Sequence, residues 1–151
     1  MYVADHEWRF WRFLDVAKAM ANKSKDPSTK VGAIVLDTDL DIRSTGWNGA
    51  PRGSRADMDS RFQDRTEKLH WVAHAEANAI TNAARRGHGL LCCAVVVTHA
   101  PCMSCSKLIV QAGLTLVMAP RPAPDFEERW KEDMHRAQVL FNECGVRQVL
   151  V

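Results

Sequence analysis

Apolar residues recur at helical spacing from the start of the chain. Phe10, Phe13, Leu14, Ala17, Met20 and Ala21 share one face of a helix over about residues 6 to 22. Asn22 to Lys30, with Asp26-Pro27-Ser28 inside it, breaks that period and reads as a loop. Two short β-branched apolar runs follow, Val31 to Leu36 and Ile42 to Trp47. The polar Asp37 to Asp41 between them predicts a hairpin. Asn48 to Gly53 is turn chemistry throughout. Ser54 to Lys68 is polar, a long loop or a partly helical excursion, and long ordered loops in compact domains are often functional.

The second half alternates more regularly. Ala73 to Arg86 is an alanine-rich helix stopped by Gly87 and Gly89, and Ala94 to Thr98 is a buried strand. Cys102 to Ala112 is a helix behind Pro101, ended by Gly113, and Leu114 to Ala119 is a further strand. Phe126, Trp130, Met134, Ala137, Leu140 and Phe141 mark a last amphipathic helix before Gly145, and Val146 to Val151 a last strand. Five strands, four helices and strand-helix-strand crossovers predict an α/β layered sheet.

Length fits one domain, 1–151, with a genuine core. The apolar share of 46% and charged share of 25% are those of an ordinary globular protein, which sets aside disordered and membrane-spanning classes. No apolar run is long enough to span a bilayer, and Met1 to Trp11 lacks the layout of a signal peptide, so a cytoplasmic location is expected. A net charge of +2 is too mild to mark a nucleic-acid binder. Five cysteines without an export signal argue against a disulfide framework. Of these, Cys92, Cys93 and Cys144 read as small core residues.

The chemistry concentrates in two short segments, His74-Ala75-Glu76 and Pro101-Cys102-Met103-Ser104-Cys105. One imidazole and two potential thiolates, each at a helix start, can surround a single zinc ion. Three protein ligands leave the fourth tetrahedral position for water, which separates a catalytic zinc from a structural one. Helix N-termini favour the thiolate form of Cys102 and Cys105. Glu76, two residues past the histidine, is placed to move protons beside the metal rather than to bind it. The order H-x-E then P-C-x-x-C is a signature of zinc-dependent nucleobase deaminases.

Other readings remain open at this level. Cys102 and Cys105 alone suit a redox pair, and a structural zinc needs a fourth ligand, with His70, His88 and His99 as candidates. Trp47 and Trp71 flank the site segments and suit core packing or a pocket wall.

The chain resembles the deoxycytidylate (dCMP) deaminases of the cytidine deaminase-like superfamily. The resemblance runs in order through Ser24 to Ala33, Gly46-Trp47-Asn48-Gly49-Ala50-Pro51-Arg52-Gly53, His74 to Ile80, Pro101 to Cys105 with Ile109 to Gly113, and the segment 137–146. It implies a three-layer cytidine deaminase-like fold, a five-stranded mixed sheet with helices on both faces. It implies one Zn2+ per chain on His74, Cys102 and Cys105, with Glu76 as catalytic proton shuttle. Asn48, Arg52 and Ala75 fall on the substrate side. Asn48 is suited to a sugar hydroxyl and Arg52 to a phosphate, with Lys30 and Arg55 as weaker phosphate candidates. Some relatives hold a second zinc in the insertion before the His-Ala-Glu helix. Here 54–72 contains no cysteine and only His70, so a single zinc is expected.

The activity implied is hydrolytic deamination of dCMP to dUMP and ammonia, supplying thymidylate precursor. dCTP and dTTP are implied as effectors, and a homo-oligomer, dimer or hexamer, is expected. Alternatives are another cytosine-type nucleotide or nucleoside, including 5-substituted dCMP, or a non-catalytic zinc or redox module.

Overall fold

The computed structural model describes residues 7–151, with side chains for 12–125 and 127–151. The side chains of Phe10 and Phe126, which the pattern assigns to apolar helix faces, lie outside the described residues, as do residues 1–6. Chain order is α1 (Glu7–Ala21), β1 (Gly32–Leu36), β2 (Ile42–Trp47), two 3-10 turns at Ala56–Met58 and Ser60–Phe62, then α2 (Arg65–Trp71). There follow α3 (Ala75–Arg85), β3 (Ala94–Val97), α4 (Met103–Gln111), β4 (Leu116–Ala119), α5 (Pro124–Glu143) and β5 (Arg147–Leu150).

The strands form one mixed sheet in the order β2-β1-β3-β4-β5. The β1–β2 and β1–β3 pairs are antiparallel, as the hairpin demands, while β3–β4 and β4–β5 are parallel across the α4 and α5 crossovers. β3 and β4 are buried at every position, which is why they read as unbroken apolar runs rather than alternating ones.

Side-chain alternation divides the core in two. Ala33, Val35, Val95, Val97, Val117 and Ala119 face Ala75, Ala79 and Ala83 of α3, Ile109 of α4 and Phe141 of α5. Ile34, Leu36, Val96, Leu116 and Met118 face Leu14 of α1 on the other side. The result is three layers, with the sheet in the middle.

Two close approaches fix the layers. A Cβ on Gly46 would stand 2.2 Å from the Ala75 carbonyl oxygen and 2.4 Å from the Ala79 nitrogen, so only glycine lets α3 lie this close to β2. On the opposite face a Cβ on Gly32 would stand 1.9 Å from the Ala17 carbonyl oxygen. The α3–β2 seam is buttoned by polar side chains as well. Ser44 Oγ donates to the Ala79 carbonyl at 2.7 Å, Asn82 Nδ2 to that of Thr45 at 2.9 Å, and Asn78 Nδ2 to that of Trp47 at 2.7 Å.

One expectation needs correction. Cys93 is buried, but Cys92 and Cys144 are exposed. Cys92 sits in a turn with φ of 62° and Cys144 is the C-cap of α5, positions where the backbone turns the side chain outward. The excursion before the His-Ala-Glu segment takes the partly helical of its two expected forms, with α2 as its longest piece, whose N-cap Asp64 accepts from the Glu67 N–H at 2.8 Å. Among the described residues no helix is long and apolar enough to cross a membrane.

Candidate active site

Two helix starts meet at the sheet's end. His74 is the N-cap of α3 and Cys102 that of α4, both extended, with ψ of 156° and 167°. An isolated bridge sets the approach to His74: Ala73 N–H donates to the Gly49 carbonyl at 2.8 Å and Gly49 N–H to that of Ala73 at 3.1 Å. Neither His74 nor Cys102 spends its side chain on capping its own helix. Both turn inward instead. His74 Nδ1 lies 3.4 Å from Cys102 Sγ and 3.4 Å from Cys105 Sγ, and the three donor atoms all lie within 4.8 Å of one another.

This donor set fits a metal. A tetrahedral zinc with bonds of roughly 2.3 Å to sulfur and 2.0–2.1 Å to nitrogen separates its N and S donors by about 3.6 Å, close to the spacing seen. Among the described residues the group contains these three members and no fourth, so a cation held here would keep an open position. Exposure grades inward from His74, open at the cavity side, through half-buried Cys102 to buried Cys105.

Electrostatics agree. Cys105, hydrogen-bonded to Cys102, lowers the Cys102 thiol to about 4 against the opposing pull of burial, and His74 adds to the effect. Cys105 is raised in turn, first by that same bond and then by burial. His74 is raised by its contact with Cys102. Cys102 is thus held toward its thiolate form beside His74, and a thiolate next to an imidazole is the donor chemistry a divalent cation takes.

Glu76 lies in the first turn of α3, only 4% exposed. Burial raises its carboxyl above its ordinary value, with the proximity of His74 pulling the other way. A buried carboxyl close to the donor cluster and able to hold a proton is suited to acid–base work.

His74 and Cys102 of the cluster line a cavity of about 780 Å³, within the range of small-molecule sites. Of the residues marked by sequence, His74, Ala75, Glu76, Cys102 and Asn48 line it, as does His99, whose burial lowers its pKa. Arg52, Lys30, Arg55, Trp47 and Trp71 do not. Arg52 reaches Asn82 Oδ1 on α3 at 3.0 Å, at the surface. Trp47 lies beneath the Lys23 ammonium, and Trp71 beneath the Arg61 guanidinium.

Asn48 is buried and its amide is engaged by the preceding loop. Its Oδ1 accepts from the Val31 N–H at 2.7 Å, while Nδ2 donates to the Thr29 carbonyl at 2.8 Å and Asp26 Oδ2 at 3.4 Å. Asp26, 3% exposed, is the hub of that loop. Burial pushes its carboxyl up, but the N–H groups of Thr29 and Ser28, the Lys68 ammonium and the Ser28 hydroxyl together hold it below its ordinary value.

Lys68 of α2, itself buried, pairs with Asp26 at 2.9 Å and also donates to Ser28 Oγ. Sequence reading missed Asp26 and Lys68 as a pair, and missed Arg65, Arg129 and Asp133, which also line the cavity. The available signal was weak: Asp26 stood in a marked motif, but its partner lies 42 positions away.

Comparison with known proteins gives a consistent picture. The family model for the cytidine and deoxycytidylate deaminase zinc-binding region matches residues 9–119. A protein of Aliivibrio fischeri described as an uncharacterized deaminase in the luxG 3′ region is 38% identical over 135 residues, covering 89% of this chain and 88% of its own. The deoxycytidylate deaminase of Mus musculus is 38% identical over 144 residues, 93% of this chain and 77% of that one. The crystal structure of the apo dCMP deaminase of cyanophage S-TIM5 is similar with a TM-score of 0.72 at 25% identity, over 96% of this chain and 98% of that one.

Proposed function

The chain belongs to the cytidine and deoxycytidylate deaminase family, and on that premise we propose that it is a zinc-dependent hydrolase converting dCMP and water to dUMP and ammonia. The observation that carries this reading is the convergence of His74 Nδ1, Cys102 Sγ and Cys105 Sγ within 4.8 Å, with His74, Cys102 and buried Glu76 lining one cavity and Cys105 behind them.

Zinc held by these donors supplies the Lewis acidity that makes water a competent nucleophile near neutral pH. Glu76 takes a proton from the attacking water and delivers it to N3 of the cytosine ring. It then transfers the second proton to the departing amine, so that the C4–N bond breaks, ammonia leaves and the C4 carbonyl of uracil remains. Ala75, the first residue of α3, presents a backbone N–H at the cavity wall, suited to a ring carbonyl. Asn48 uses both amide protons on the preceding loop, leaving the second Oδ1 lone pair for a sugar hydroxyl.

A monophosphate is favoured over a bare nucleoside by the cations of the cavity. Lys68 is neutralised by Asp26. Arg65 of α2 and Arg129 of α5 stand at the cavity from opposite helices, and the pair of Arg129 with Asp125 is exposed and 3.4 Å long, so it contributes little. The phosphate role given to Arg52 on sequence grounds therefore passes to Arg65 and Arg129.

Metal analysis tests the centre of this reading. The purified protein is expected to carry about one zinc per chain, and Cys102→Ala to lose most of it. Full zinc retention by that variant would remove the site as drawn.

A further inference from the structure

We infer that Asp133, on α5, is a positioning residue for the zinc ligands: it caps the helix that carries Cys102 and Cys105, a task Cys102 cannot perform. This rests on the zinc reading above.

A helix start exposes backbone N–H groups that need acceptors, and the N-cap side chain normally supplies one. The N-cap of α4 is Cys102, which makes no side-chain cap bond, its sulfur facing His74 at 3.4 Å. Metal ligation and helix capping compete for one side chain, and ligation wins. Ser106 does not fill the gap, because its Oγ donates to the Cys102 carbonyl at 2.9 Å instead.

The acceptor arrives from thirty residues away. Asp133 Oδ2 accepts from the Met103 N–H, the first amide of α4, at 2.8 Å. A carboxylate accepting a backbone N–H is among the stronger hydrogen bonds a surface helix can make, and the helix dipole reinforces it. Among the described residues Asp133 forms no ion pair. Arg129, one turn earlier on α5, is directed to the Asp125 carboxylate and carbonyl, and Arg136 to Glu132. The carboxylate is thus committed to α4. Since Met103 follows Cys102 directly, a shift of this amide moves the sulfur, and a turn later Cys105. The bond also ties the cavity's α5 wall, where Arg129, Trp130 and Met134 stand, to the ligand helix.

The test compares Asp133→Ala, Asp133→Leu and Asp133→Asn with the parent protein. Zinc affinity is read by chelator competition, and ligand geometry by the visible spectrum of the cobalt-substituted forms. Loss of a group that orients metal ligands typically costs ten- to a hundredfold in affinity. Asp133→Ala is expected to lose about that much zinc affinity and to shift the cobalt bands. Asp133→Leu, close in shape but without an acceptor, carries the same expectation should the alanine variant fold poorly.

Asp133→Asn keeps an acceptor oxygen and is expected to stay within about threefold of the parent, a rescue that general destabilisation of α5 does not produce. Arg136→Ala, which breaks an exposed pair on α5, should leave affinity unchanged. Unchanged affinity and spectrum in both the alanine and leucine variants would overturn the inference. So would equal losses in all three Asp133 variants, which would make charge rather than capping the operative property. A parent protein that binds no zinc would defeat the underlying reading instead, and is a separate result.

Discussion

The proposed role of Glu76 requires a buried carboxyl that exchanges protons, and burial raises its pKa in the direction that role needs. Glu76→Gln is expected to keep zinc and fold while turnover falls at least about a hundredfold, measured as ammonia release, because an amide cannot relay protons. The same burial has a signature in stability. A carboxyl whose folded pKa lies above its ordinary 4.5 binds more protons folded than unfolded. Its contribution is therefore fully present below 4.5 and is lost as pH rises through the elevated folded value. In the metal-stripped protein the melting temperature of Glu76→Gln should gain on the parent as pH rises from 4.5 to neutrality, and a constant difference would contradict the desolvation of this group. The cluster of His74, Cys102 and Cys105 and its neighbour Glu76 were legible in sequence because residue type and short spacing mark them as a candidate metal site. The partners of Asn48 and Arg52 were not, since Asp26, Thr29 and Asn82 meet them only through the fold.

Among the elements, α3 bears the heaviest positional demand, because His74 is its N-cap and Glu76 lies in its first turn while its body lies against β2. Gly46→Ala would drive a methyl group into the backbone of α3, and Gly32→Ala one into the backbone of α1. Both are expected to lower urea stability by about 1–3 kcal/mol, the usual cost of overpacking. Only Gly46→Ala should also depress zinc affinity and kcat in the fraction that remains folded. Equal activity per folded molecule in the two variants would mean that the seam does not position the site. Most elements lie where periodicity put them. The exception, α2, inverts the usual pattern: Leu69 and Trp71 are 54% and 38% exposed while Lys68 is 7% exposed. A helix that buries a lysine against a distant aspartate shows no apolar stripe to find. Only the Asp64-x-x-Glu67 spacing betrayed its start.

At the scale of the whole molecule, the layered α/β class followed from strand runs and crossover helices, and the mixed sheet in the order β2-β1-β3-β4-β5 agrees with it. The cavity could not be read in the same way, because it lies between α2 and α5, elements distant in sequence, and gathers Arg65, Lys68 and Arg129 around the donor cluster. That gathering extends the proposed zinc site into a proposed nucleotide site. Turnover of dCMP against deoxycytidine by the zinc-loaded protein, with ammonia and uracil product both quantified, tests this directly. Equal amounts of ammonia and dUMP are expected, with kcat/KM for dCMP at least about tenfold above that for deoxycytidine, since each lost charge-assisted bond costs roughly 1.5–3 kcal/mol. Arg65→Ala combined with Arg129→Ala should erase most of that preference. Absence of ammonia from dCMP at full zinc occupancy, or equal rates on the two substrates, would contradict the assignment.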